Sequence, residues 1–142
     1  MNRKRSISLL AALIVLQACA VRQPTTPKTP LQWTILYNAA MAKTNRAVEQ
    51  TTEQLATSGT LHTDQARQII QICGKVAAVS ENIRTVTSST QPWSQVAPQV
   101  QAALQQLGLT NLIAHAGITN SQLKDLLNAL MSTVTLIQQE AH

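Results

Sequence analysis

The chain has 142 residues, a length that favours a single domain. Charged residues make up 12% of it, against a usual globular share of roughly 25%, and the aromatics are only Trp33, Tyr37 and Trp93. Two cysteines exclude a disulfide-dense scaffold and a four-cysteine zinc site, and an apolar share of 44% excludes a wholly disordered chain. The net charge of +5 is weaker than it looks, because Arg3, Lys4 and Arg5 precede an apolar run over residues 7–18. Without those three, eight basic residues face six acidic ones. They are spread singly from Arg22 to Lys124. A nucleic-acid binder needs them clustered, so no nucleic-acid partner is expected.

The N-terminus reads as an export signal. A basic stretch over residues 1–5 leads into an apolar stretch over residues 7–16 that only Ser8 interrupts. A helix needs about 20 apolar residues to span a hydrocarbon core, and this stretch is too short. It ends in Leu16-Gln17-Ala18-Cys19. That motif resembles the lipobox of bacterial lipoproteins. Leu16 takes the first position, Ala18 the position before cleavage and Cys19 the lipid-accepting one. Gln17 departs from the small or apolar residue usual there. The resemblance covers only the segment up to Cys19. It implies a bacterial source, cleavage before Cys19, a diacylglyceryl thioether on its sulfur and an acylated (palmitate) amino group. The physical sense is general: one acyl chain holds a protein marginally, several hold it stably. Ala20 in place of Asp implies, by the same resemblance, the outer membrane of a diderm host.

Two other readings of Cys19 stand beside this one. Ala18-Cys19-Ala20 is itself a small-x-small cleavage site, and cutting after Ala20 would release a secreted or periplasmic protein. A disulfide with Cys73 in an oxidising compartment is the third.

Residues 20–30 carry Pro24, Pro27 and Pro30 and read as an extended tether. At about 3.1 Å per residue it would lift a domain roughly 35 Å from a bilayer. The expected organisation is a signal peptide over 1–18, a lipidated cysteine and tether over 19–30, and a folded domain over 31–142.

The folded part shows apolar spacings of three and four, and no Asn-Gly or Asp-Gly hairpin turn. The first helix is expected from about residue 31 to 57, with a stripe of Trp33, Tyr37, Ala40, Thr44, Val48, Thr51 and Leu55, and Gly59 as a left-handed stop. The second runs from about 64 to 88, with Thr63 as N-cap and Asp64 in the first turn. Its stripe is Ala66, Ile69, Ile70, Cys73, Val76, Ala77, Ser80, Ile83 and Val86. The third runs from about 95 to 107, with Pro98 in its first turn and Gly108 at its end. Its stripe is Val96, Ala97, Val100, Ala103, Leu104 and Leu107. Residues 110–116 read as a short extra turn closed by Gly117. The last helix is expected to start from a capping box of Thr119 and Gln122, with Ile118 and Leu123 as a hydrophobic staple. Its stripe is Leu123, Leu126, Leu127, Leu130, Met131, Val134 and Ile137, ending near Gln139. The fold class is therefore all-α, a small bundle of about four helices. Its aromatic-poor core leaves room for self-association into a homo-oligomer.

Residues that could carry chemistry are few. Glu49 and Glu53 share a helix face, which a solvated surface explains. His62, His115 and His142 show no metal-ligand spacing. Cys73 lies on an apolar stripe and reads as a buried, unpaired thiol. Four glycines form no phosphate loop. No catalytic residue, metal site or cofactor is expected, and an enzyme is not. Trp33 and Tyr37, four residues apart beside the tether, read as core, with a membrane-interface anchor as the other role. The chain is rich in Gln and Thr, with 17 of each, which makes a weakly charged surface. The functional expectation is a lipid-anchored envelope protein that binds another envelope protein as an adaptor or structural module. The alternative is a small secreted or periplasmic carrier of an apolar ligand, which would need a cavity of 300 Å³ or more as a rough threshold.

Overall fold

The computed structural model describes residues 28–142. The signal peptide, Cys19 and most of the tether lie outside the described residues. The described part is 83% helical, with four long helices and one short one. They are α1 (Pro30–Thr57), α2 (Thr63–Thr87), α3 (Trp93–Leu107), α4 (Leu109–His115) and α5 (Ser121–Glu140).

Helix α1 begins one residue earlier than expected, because Thr29 and Gln32 form a capping box across Pro30. The Gln32 amide N–H donates to Thr29 Oγ1 at 3.3 Å, and the Thr29 N–H donates to Gln32 Oε1 at 3.0 Å. Pro30 at the first helical position has no N–H to leave unsatisfied. Pro30 is therefore the first residue of α1. At the other end Gly59 takes φ 73°, as the sequence predicts. Gly59 N–H donates to Ala56 O and Thr60 N–H to Leu55 O, which is a Schellman closure. Leu61, just beyond, is buried and turns the chain into α2.

Two expected caps move. Helix α2 is capped at His62 without a side-chain bond, so Thr63 is its first residue rather than its N-cap. Asp64 does lie in the first turn, where it favours the positive helix end and pairs with Arg67 at 3.3 Å. Helix α5 starts at Ser121 with Asn120 as N-cap, one residue after the expected Thr119. Asn120 Oδ1 accepts from Leu123 N–H at 3.1 Å, so no Thr119–Gln122 box forms. Asn and Thr are both good caps, and the turn after Gly117 brings Asn120 to the cap position. Helix α3 starts two residues early at Trp93. Pro98 therefore falls in the second turn, where its missing N–H leaves the Ser94 carbonyl without its helical partner.

Helix α1 packs against both α2 and α5, while α3 packs mainly on α2 and more lightly on α5. Thus α3 lies diagonally across the bundle from α1. The α3 stripe is buried as predicted, all six residues of it. Along α5, Leu123, Leu127, Leu130, Val134 and Ile137 are buried, and Leu126 and Met131 are half-buried. On α2, Ile72 and Thr87 are buried where Ala77 is exposed and Ile70 and Val86 are half-buried. The larger departure is α1. Its buried residues are Thr34, Asn38, Met41, Asn45, Val48, Thr51 and Thr52. Apart from Val48 and Thr51, the inward face is rotated about one residue from the expected stripe. Trp33 and Tyr37 are half-buried on its flank.

The rotation has a physical reason. Residues 34, 38, 41, 45, 48 and 52 repeat at four and three, which is heptad spacing. Buried residues 66, 69, 73, 76, 80, 83 and 87 on α2, and 123, 127, 130, 134 and 137 on α5, repeat the same way. Three helices with matched heptads pack along a common seam at shallow angles. Trp33 and Tyr37 turned inward in the first two turns of α1 would hold its neighbours apart, whereas Thr34 and Asn38 there allow close approach.

Candidate functional site

The side of α1 that faces α2 is polar inside the core. Asn38 Nδ2 donates to the Ser80 carbonyl and Asn45 Nδ2 to the Cys73 carbonyl, each at 2.9 Å. Both carbonyls belong to the middle of α2 and already accept helical bonds. Thr52 Oγ1 bonds back to Val48 O at 2.7 Å. Thr34 Oγ1, Asn38 Oδ1 and Asn45 Oδ1 are buried with no protein partner. A buried acceptor with no partner costs about 1–3 kcal/mol, while the two asparagine donors tie α1 to α2 at fixed positions.

The outward side of α1 is apolar and basic. Ile35 and Leu36 are 47% and 44% exposed, among the few large apolar side chains so open to solvent. Beside them Trp33 and Tyr37 stack with ring centroids 5.4 Å apart and planes at 15°. Lys28 Nζ lies 4.8 Å from the Trp33 ring centroid, a cation–π contact. Lys43 and Arg46 are exposed further along, and from Lys28 to Val48 there is no acidic residue. Between α1 and α2, an open groove of about 540 Å³ is lined by Ile35, Asn38, Ala39, Ala42, Arg46 and Arg84 among others. The Arg84 guanidinium is taken up by Glu81, with Nε donating to Oε2 at 2.8 Å, and it holds the Glu81 carboxyl below its usual range.

The sequence-predicted candidates do not converge. Cys19, the lipidation candidate, lies outside the described residues. Cys73 is buried and free among them, and burial pushes its thiol up to about 12, with the Glu49 charge adding to the effect. Glu49 is half-buried and Glu53 exposed. His62 caps α2, His115 Nδ1 meets the Asn111 carbonyl of its own helix at 2.6 Å, and His142 Nδ1 meets Gln101 Nε2 at 3.1 Å. Among the described residues no three His, Cys, Asp or Glu side chains group as a metal site. No helix among them is long and apolar enough to cross a membrane. A cleft of about 150 Å³ beside α2 and α4, lined by Ile72, Lys75, Leu112 and His115 among others, is too small for a drug-sized ligand.

The polar seam and the outward face of α1 are what residue-by-residue reading missed. A hydrophobic stripe search puts Asn38 and Asn45 outside the core. The heptad spacing 34-38-41-45-48-52 is the signal that finds them. Comparison with protein-family models, curated proteins and solved structures gave no match to this chain.

Proposed function

We propose that the chain is a lipid-anchored cell-envelope protein whose helical domain binds another envelope component as an adaptor or structural module. The observation that carries this reading is the order of features along the chain. Leu16-Gln17-Ala18-Cys19 closes an export-type segment, and a proline-rich stretch follows it. That stretch runs directly into the capped start of α1 at Thr29 and Pro30. A rigid bundle is then displayed from one end by its first helix. A binder held in this way gains local concentration near its neighbour and works with modest intrinsic affinity. The lipid on Cys19 would be the membrane link, and in a diderm host the outer membrane the expected place.

Fractionation tests the anchor. Cys19→Ala is expected to move the protein from the membrane to the soluble fraction, and the mature wild-type mass to include the acyl groups. A mature chain beginning at Val21 with no added mass refutes it. Cross-linking followed by pull-down from membranes, with Cys19 intact, is expected to return one envelope partner in a fixed ratio.

A further inference from the structure

We infer that the outward face of α1 lies on an anionic lipid surface, so that the bundle rests on the bilayer along its first helix. This rests on the reading that the chain is held at a membrane through its N-terminal segment.

Helix α1 buries one side against α2 and α5 and leaves the opposite side to solvent. Leu36 stands near the middle of that open side, with Ile35 and Trp33 on its two flanks at helical spacing. One turn on come Ala39 and Ala40, then Lys43, then Arg46 and Ala47, then Gln50. An apolar strip with an aromatic at the chain's entry and cations along it is the composition of an interfacial helix. The Trp33–Tyr37 stack with Lys28 above it matches the aromatic-and-basic pairing that favours headgroup depth.

Charge complementarity selects the occupant. Three exposed cations lie along this side, Lys28 two residues before α1 and Lys43 and Arg46 within its first five turns, and the first carboxylate met along the helix is the half-buried Glu49. Each such cation near an anionic bilayer gains from its negative surface potential. Chain geometry selects it too. Only eight residues separate Cys19 from Lys28, and the chain enters α1 at the aromatic end of the strip. A membrane-held chain of that reach, at most about 25 Å at 3.1 Å per residue, lets this end of α1 come down to the headgroups. The helix diagonally opposite, α3, then faces away from the bilayer and is free to meet a partner.

The test uses the chain purified from membranes, as it exists there, and reconstituted into vesicles. A Trp93→Phe variant leaves Trp33 as the reporter. Its emission is expected to shift to the blue on phosphatidylcholine vesicles containing phosphatidylglycerol, and to be quenched when the lipids carry brominated acyl chains. Leu36→Glu is expected to abolish the quenching. Lys43→Glu with Arg46→Glu is expected to reduce the lipid-lying population roughly tenfold, as is high salt. These side chains are exposed, so the bundle should keep its helical circular dichroism. The Trp33→Phe variant, which keeps Trp93 on α3, is expected to show little quenching and serves as the internal control. If brominated lipid leaves Trp33 unaffected, or quenches Trp93 equally, the inference is overturned. If instead Lys43 cross-links to an acidic protein with no lipid quenching of Trp33, the face belongs to a protein partner and the inference is also overturned. The mass of the same membrane sample reports separately whether Cys19 is acylated. Failure of the anchor and failure of the face are thereby distinguished.

Discussion

Cys73 is the residue whose chemistry the fold changes most. It is buried in the same core cluster as Ile69, Ile72 and Val76 of α2, and burial pushes its thiol up to about 12 from 9.0. Between those values the unfolded chain has released the thiol proton and the native one has not. The native state then binds more protons than the unfolded state, so stability falls as pH rises through that window. The expected loss approaches 1.4 kcal/mol per pH unit above 9, within the usual linkage slope. Cys73→Ala should remove this component of the alkaline slope. Native protein should also resist thiol reagents at Cys73 and react only on unfolding, and rapid labelling in native buffer would contradict its burial. The caps make a second residue-scale test. Asn120→Ala should cost about 1 kcal/mol in denaturant unfolding, and Thr119→Ala much less, because Asn120 holds the Leu123 N–H. Equal effects of the two substitutions would mean that the helix starts elsewhere.

At the scale of elements, α1 shows how polar side chains can occupy a core without making it fail. Asn38 and Asn45 each satisfy their amide donors on α2 and leave their oxygens unpaired. Asn45→Asp should therefore cost about 3 kcal/mol at neutral pH, because it replaces the donor to the Cys73 carbonyl with a buried charge. Burial raises the native pKa of that carboxyl above its unfolded value. Stability should then recover on acidification as the carboxyl protonates, which urea titrations across the acidic range would register. An unchanged urea midpoint would show that the seam is hydrated. The same element marks where sequence reading succeeds and stops. The α3 stripe is legible because all its inward residues are apolar, so hydrophobicity and burial share one phase. In α1 they do not: Trp33 and Tyr37 are the most conspicuous side chains, yet close packing with α2 and α5 requires small ones inside. The Thr29–Gln32 capping box follows the S/T-x-x-E/Q rule and was there to be read. The shift from Thr119 to Asn120 was not, because both residues are good caps and only the turn after Gly117 chooses between them.

For the whole molecule, the capped start of α1 at Thr29 and Pro30 sets how far a replacement of the preceding segment can reach without touching the helix. Replacing residues 21–27 with a Gly/Ser segment of similar reach should preserve partner capture in membrane cross-linking, since a tether works through its length. Extending the replacement through Thr29 and Pro30 should lower stability by about 1 kcal/mol as the cap is lost. Deleting 21–27 should reduce capture of any partner that stands off the bilayer. Full activity of the lipid-free domain at low concentration would show that tethering is dispensable. The surface fits this arrangement. Among the described residues the two salt bridges are exposed pairs three residues apart, worth little each, so folding should depend only weakly on salt. Any strong salt dependence of the intact protein would then report on contact with its surroundings rather than on the bundle.

If the chain is held at a bilayer and at a neighbour, as proposed, it comes under tension whenever the two move apart, and the pull enters α1 at its capped start, Thr29. Asn38 and Asn45 are seven residues apart, and so are the Ser80 and Cys73 carbonyls that they meet. Drawing α1 outward by one heptad, about 10 Å at 1.5 Å per residue, carries Asn45 to the place that Asn38 leaves, opposite Ser80. One of the two bonds is then remade. Under steady force α1 is expected to yield first by a single discrete step of that size rather than by smooth slippage, with Asn45 caught at the carbonyl that Asn38 leaves.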